Sequence, residues 1–244
     1  MKRHGEAGSM PPDTVDKEKT CIQQLIKKKG YERQDIFNAD ETSFFYAYIV
    51  FQIQLKRSKL KAPDSMPPDQ GLADKHHSGV KGKKTRLTYL LTTNADGSRK
   101  LAPFIIGKAY KPRAFNNKTG SQLGFNYRNN LKAWMTAALY QEWLLDWDAK
   151  LRQEGRKVLL LQDNFSGHII LDTLTNIHVE NFAPNLTSHV QPNDQGIISC
   201  FKSHYRSRFI QRAMYRYNTG TTPALIYEVD QLKAINLLMK PGVT

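Results

Sequence analysis

Cysteine is almost missing from this chain of 244 residues: Cys21 and Cys200 are the two present. Two thiols so far apart make neither a disulfide framework nor a cysteine metal site, which suits a reducing compartment. Long apolar runs are missing as well. None approaches membrane-spanning length, and Met1-Lys2-Arg3-His4 is not followed by a secretion-signal core, so an intracellular protein without membrane contact is expected. Acidic residues are in the minority, 22 against 36 Lys and Arg, for a net charge of +14. A balance that basic favours a polyanionic partner, nucleic acid ahead of a membrane surface. Zinc spacing is absent too: His76 and His77 adjoin, with no acid or cysteine at ligand distance in sequence.

What is present reads as globular. Hydrophobic residues make up 40% and aromatics 10%, enough to bury a core in one domain or a domain and a half. Met1 to Val15 is polar and loose. Asp16 to Lys29 reads as an amphipathic helix with Ile22, Leu25 and Ile26 on one face and Gly30 as its stop. A first strand begins at Ile36–Asn38. Arg86–Thr93 and Leu101–Ile106 form a hairpin around Asn94-Ala95-Asp96-Gly97-Ser98, where glycine allows positive φ. A short strand is expected at Gly124–Arg128. Thr136 caps a helix whose Leu139, Trp143, Leu144, Trp147 and Leu151 recur at helical spacing, and Gly155 ends it. Those tryptophans belong to the core. A strand at Ile177–Phe182 follows, then a helix from Asp194 to about Tyr217, and a last one opened by Thr222-Pro223 and running to about Lys240.

The stretch Lys157 to His168 organises the rest. Val158-Leu159-Leu160-Leu161 reads as a strand buried on both faces, and the carboxyl ends of such strands are where α/β sheets place ligands. Asp163 is the first charge after it. Alone, it would suit an Asx turn as well as a catalytic site. Two further acids bear on that choice: Asp40, after the apolar segment starting at Ile36, and Asp194, in Gln191-Pro192-Asn193-Asp194-Gln195-Gly196, with thirty residues between it and Asp163.

In these pieces the sequence resembles the catalytic core of DDE-type transposases of the pogo/Tigger group, the superfamily that includes the jerky and centromere protein B-like host proteins. The matching segments are Asn38–Thr42, Asn94–Ser98 with Phe104–Lys108, Lys132–Thr136, Gly155–His168 and Val190–Tyr205, spread from about Ile36 to Tyr227 in the family's order. The resemblance implies an α/β fold, a ribonuclease-H-like mixed sheet flanked by helices, over residues 35–240, after an N-terminal tail and helix at 1–34. It also implies catalytic and metal-binding roles for Asp40, Asp163 and Asp194, with Mg²⁺ or Mn²⁺ as cofactor. Crowded carboxylates repel unless a cation is present, and hard divalent cations prefer oxygen ligands. Two such ions about 3.5–4 Å apart can clamp the attacking and leaving oxygens of a phosphodiester. The nucleophile implied is water for nicking or a DNA 3′-hydroxyl for strand transfer.

Asn164, His168 and Gln195 fall in the family-matching runs and are expected to support the acids; for His168 a turn-capping role is the plainer alternative. Glu41, next to Asp40, should point to the opposite face of the strand and is not expected to be a ligand. The expected partner is DNA, met by the basic loop with Lys81, Lys83 and Lys84 and by the helix bearing Lys202, Arg206, Arg208 and Arg212, with a nuclear location and a homodimer as further expectations.

Departures from the family pattern point another way. About 35 residues precede the first strand, too few for the family's helix-turn-helix modules. Ser43 replaces the usual Gly, and the family core continues beyond Lys240. Residues 48–65 form an insertion, Tyr48-Ile49-Val50-Phe51 onward, that reads either as a strand extension or as sequence never selected to fold; it is expected to pack poorly. The alternative to an endonuclease is therefore a truncated, inactive remnant that only binds DNA.

Overall fold

The computed structural model describes residues 12–46 and 86–239. The 48–65 insertion and the lysines Lys81, Lys83 and Lys84 lie outside the described residues. Within them the chain forms α1 (Pro12–Lys29), β1 (Ile36–Phe45), β2 (Arg86–Asn94), β3 (Phe104–Gly107), β4 (Asn126–Asn129), α2 (Ala137–Gln153), β5 (Val158–Gln162), β6 (Ile177–Asn181), α3 (Thr187–Val190), a π-helical turn (Asn193–Ile197), α4 (Ile198–Asn218), α5 (Pro223–Ile226) and α6 (Gln231–Met239). The strands make one mixed sheet in the order β4-β3-β2-β1-β5-β6. β1 runs antiparallel to β2 and parallel to β5, and β5 runs parallel to β6. Helices cover both faces, so the fold is the ribonuclease-H-like α/β class that the resemblance implies.

Side-chain alternation sorts the strands onto two faces. Phe37, Ala39, Leu90, Val158 and Leu160 meet α2 through Tyr140, Trp143, Leu144, Trp147 and Leu151. On the opposite face Ile36, Leu159 and Leu161 meet Ile22, Leu25 and Ile26 of α1. Further along that face Leu87, Tyr89 and Leu91 meet Tyr205 and Phe209 of α4 and Ile235 of α6. β5 is therefore closed on both sides, with Val158, Leu159 and Leu160 fully buried, and each such side chain contributes about 1.5–3 kcal/mol of transfer free energy.

Three expectations are corrected. α1 begins at Pro12, inside the stretch read as loose. β3 starts at Phe104 rather than Leu101, because Pro103 has no N–H to give a ladder. The last helix is broken into α5 and α6. Arg212 and Arg216 both donate to the Glu228 carbonyl, at 2.8 and 3.1 Å, which takes an acceptor a continuous helix would need. Asp230 Oδ1 then accepts from the Lys233 amide at 2.8 Å and restarts the helix as an N-cap.

One buried charge joins α2 to the sheet. Asp148 is 1% exposed, and its Oδ1 accepts from the backbone amides of Thr175, Asn176 and Ile177 at 3.2, 2.7 and 3.2 Å. Arg152 completes the pairing at 2.8 Å.

Candidate functional site

β1 is the longest strand, and its length relative to β5 creates the site. The β1–β5 pairing covers Ile36–Asn38 against Leu159–Leu161. β5 ends at Gln162, while β1 continues to Phe45. Asp40 therefore sits within β1, not at its end, beside the point where β5 has stopped, and Asp163 is the first residue past that stop. Continued by two residues, the register would set Asp163 opposite Asp40.

Asp194 arrives from the other direction. The π-helical turn that carries it is tied to β1 and β2 by amides that water does not reach, Gln191 and Asn193 both being 0% exposed. Asn38 Oδ1 accepts from the Asn193 amide at 3.0 Å, and Asn193 Nδ2 donates to the backbone oxygens of Asn38 at 3.4 Å and Leu91 at 3.0 Å. Asn38 Nδ2 in turn donates to the Leu161 carbonyl at 2.9 Å, and Gln191 Nε2 reaches the Ala39 carbonyl at 3.4 Å. π-turns are rare and cluster at functional positions. This one brings Asp194 close enough for its charge to act on the Asp40 carboxyl.

The electrostatic result is severe for Asp40. Burial, then the negative charges of Asp194, Glu41 and Asp163, push its carboxyl up to about 9. A buried acid among three other carboxylates takes up a proton when no cation compensates it.

Glu41 points to the α2 face, as alternation requires, yet it belongs to the site. His168 Nε2 lies 2.8 Å from Glu41 Oε1, and His168 Nδ1 lies 2.9 Å from Asp163 Oδ1. The imidazole is stacked on Tyr140 at a ring separation of 4.4 Å and met edge-on by Phe165 at 5.4 Å. Burial would lower its pKa, but the bonds to Asp163 and Glu41 and their charges outweigh that and raise it to about 10. It is a buried imidazolium between two carboxylates. Tyr140 below it bonds to Gln162, which donates to Asn181 at 2.9 Å. A cleft of about 260 Å³ opens over Asp40, Glu41 and Asp163, rimmed by Arg86, Trp134 and Phe165; the Arg86 guanidinium stacks on the Trp134 ring at 4.6 Å.

The remaining expected residues fall as follows. Asn164 is exposed in the turn after β5. Gln195 donates to the His189 carbonyl and so fastens the π-turn to α3. Lys202 and Arg206 are half-buried on α4. Arg208 donates to the Leu237 carbonyl at 2.9 Å, and Arg212 to that of Glu228, so both brace the C-terminal helices.

Residues 84–240 match the DDE superfamily endonuclease family. The chain belongs to that family. Its relatives put this DDE domain with the pogo/Tigger-like, transposase-derived group. It is 30% identical to CENP-B homolog protein 2 of Schizosaccharomyces pombe, across 98% of this chain and 44% of that protein. It is 32% identical to Tigger transposable element-derived protein 4 of Mus musculus, across 83% and 36%, and 34% identical to the Major centromere autoantigen B of Homo sapiens, across 76% and 27%. The DDE domain thus spans less than half the length of each of these relatives. Among solved structures, the catalytic domain of Mos1 mariner transposase is 13% identical with a TM-score of 0.44, over 94% of this chain and 90% of that one.

Sequence reasoning missed Asn38, Gln191 and Asn193 as a buried lock, and Glu41 and Tyr140 as neighbours of His168. A signal did exist for the lock: Asn38 is polar inside an apolar strand, and a buried amide must find partners.

Proposed function

We propose that this DDE domain cleaves DNA phosphodiesters with divalent metal, Asp40, Asp163 and Asp194 being its catalytic acids. The observation that supports the reading is that Asp194, Glu41 and Asp163 all lie near enough to the buried Asp40 for their charges to raise its pKa; among the described residues the ligand atoms within 4.8 Å of one another are those of Glu41, Asp163 and His168. The donor set fits the cofactor: carboxylate oxygens only, crowded enough that Asp40 holds a proton at neutral pH, which suits Mg²⁺ or Mn²⁺ and not a soft metal. When bound, such ions supply Lewis-acid stabilisation of the phosphoryl oxygens and activation of the attacking oxygen.

The chain's own residues do the rest. Asp40, fixed in β1, and Asp194, fixed by the Asn193 lock, would hold the ions on one side. Asp163 would complete the set from the end of β5. The residues of the π-turn and the closed sheet keep these carboxylates from relaxing apart, which preserves the charge density the cofactor needs. The half-buried Lys202 and Arg206 of α4, with Arg208, Arg212 and the lysines Lys81, Lys83 and Lys84, are the proposed phosphate contacts. DNA binding in the nucleus is the matching biological setting.

The test pairs supercoiled-plasmid nicking with filter binding over a salt series, for the wild type and Asp163→Asn. The expected result is Mn²⁺-dependent nicking that the variant loses, with DNA binding kept and affinity falling with salt by a log–log slope of about −0.9 per phosphate neutralised. Nicking that persists in the variant would overturn the catalytic assignment. Salt-dependent binding without nicking in the wild type would establish the remnant that only binds DNA.

A further inference from the structure

We propose that Glu41 is a positioning residue for Asp163, acting through His168. The inference rests on the reading of Asp163 as a metal ligand, and adds a residue outside the acid triad.

Asp163 has a weakness that Asp40 does not share. Asp40 sits inside β1 and is paired along the ladder to β2. Asp163 lies one residue past the end of β5, in the stretch that turns back at Phe165–His168, where the His168 amide donates to the Phe165 carbonyl at 2.9 Å. A carboxylate on a turn has rotamer and backbone freedom that a ligand must lose before it can bind a cation well. His168 is its ion-pair partner, with Nδ1 2.9 Å from Oδ1; the same nitrogen lies 3.4 Å from the Asp163 carbonyl, and Oδ1 has no partner in hydrogen-bond geometry among the described residues, so the hold on the carboxylate is electrostatic.

His168 is itself held firmly. Its side chain is 2% exposed, it stacks on Tyr140 of α2, and its second nitrogen meets Glu41 Oε1 at 2.8 Å. Glu41 stands on β1 directly opposite Leu90 of β2, in the antiparallel ladder. The stiffness of the central strand thus passes through Glu41 and His168 to an acid that the sheet does not reach. Ligands whose orienting partner is removed usually lose about 10- to 100-fold in metal affinity.

Mn²⁺ titration calorimetry on the full chain tests this with Glu41→Ala, Glu41→Met, Glu41→Gln and Asp163→Asn. Alanine and methionine remove the acceptor, methionine keeping most of the side-chain volume in case alanine does not fold. Glutamine removes the charge but keeps an oxygen that accepts from His168 Nε2. Both Glu41→Ala and Glu41→Met should weaken Mn²⁺ about 10-fold or more, and Glu41→Gln should stay within about two-fold of wild type. In nicking assays the alanine variant should need more Mn²⁺ to reach half-maximal rate and recover near wild-type rate at saturation. Wild-type affinity in the alanine and methionine variants would overturn the proposal. So would an equal loss in Glu41→Gln, which would mean that Glu41 acts by its charge or as a ligand. If Asp163→Asn binds Mn²⁺ like wild type, the reading of Asp163 itself fails; if it loses binding while the Glu41 variants do not, the positioning role alone fails.

Discussion

Asn38 and Asn193 hold each other across 155 residues of chain: the Asn193 amide donates to Asn38 Oδ1 at 3.0 Å, and Asn193 Nδ2 donates back to the Asn38 carbonyl at 3.4 Å. The strand of the first acid and the turn of the third are thereby one unit. Removing either amide leaves buried groups without partners, at about 1–3 kcal/mol per group. Asn193→Ala and Asn38→Ala should each lower the urea midpoint by an amount in that range. The double variant should cost clearly less than the two single losses combined, because they share one network. Additive losses in the double-mutant cycle would mean the two asparagines act independently.

Asp40 separates metal binding from metal-free stability. Burial and three neighbouring carboxylates already force it to hold a proton, so a neutral isostere asks little of the fold. Asp40→Asn should unfold within about 1 kcal/mol of wild type in chelator, or above it, because it removes a repulsion. Wild-type melting should rise on adding Mn²⁺, as any ligand that prefers the native state requires. The variant should lose that rise. Thermal melts with and without Mn²⁺ give both results from one pair of samples.

The arginines of α4 should divide into two kinds. Arg212 donates to the Glu228 carbonyl where α5 ends, so Arg212→Ala should cost about 1 kcal/mol of stability along with any DNA affinity. Arg206 has no such duty among the described hydrogen bonds. Arg206→Ala should leave the denaturation midpoint in place and reduce the salt slope of DNA binding by up to about one unit. A variant of Arg206 that unfolds early, with an unchanged salt slope, would reverse the assignment.

Acid should attack the fold through Asp148. Burial opposes its charge, but Arg152 and the amides of Asn176 and Thr175 outweigh that and hold its pKa below the ordinary carboxylate value. The folded state then binds fewer protons than the unfolded one near that value. Its stabilisation is full above about pH 4, the unfolded carboxylate range, and is lost as pH falls through the lower folded value. Asp148→Asn should cost about 1–3 kcal/mol at neutral pH and flatten the acid limb of a stability–pH curve. Urea unfolding at several pH values measures both effects.

Most of the elements were legible in the sequence, because local rules govern them. The unbroken apolar run Val158–Leu161 dictates a strand closed on both faces, Thr136 caps α2 with its hydroxyl 3.4 Å from the Leu139 amide, and Gly155 takes the positive φ of 65° that stops it. The three acids stand out in the sequence as candidates, each sitting beside an apolar run or a helix start. Glu41 was read correctly as pointing away from Asp40, and still its partner was invisible. That partner depends on β1 outrunning β5, which leaves an open flank for the turn bearing His168, and a strand's neighbour ends where its own sequence ends.

The break between α5 and α6 has the same origin. Thr222-Pro223 announces a helix start through local chemistry, whereas Arg212 and Arg216 claim the Glu228 carbonyl from another element. What the sequence alone determined about this protein is which face each side chain takes and which segments are strand or helix, since a period of two or 3.6 residues is written in neighbouring positions. What the tertiary structure decided is which polar groups meet: Asn193 with Asn38, His168 with Glu41 and Asp163, Asp194 with Asp40. Those meetings span up to 155 residues and follow from register and relative strand length, quantities no local run of residues contains.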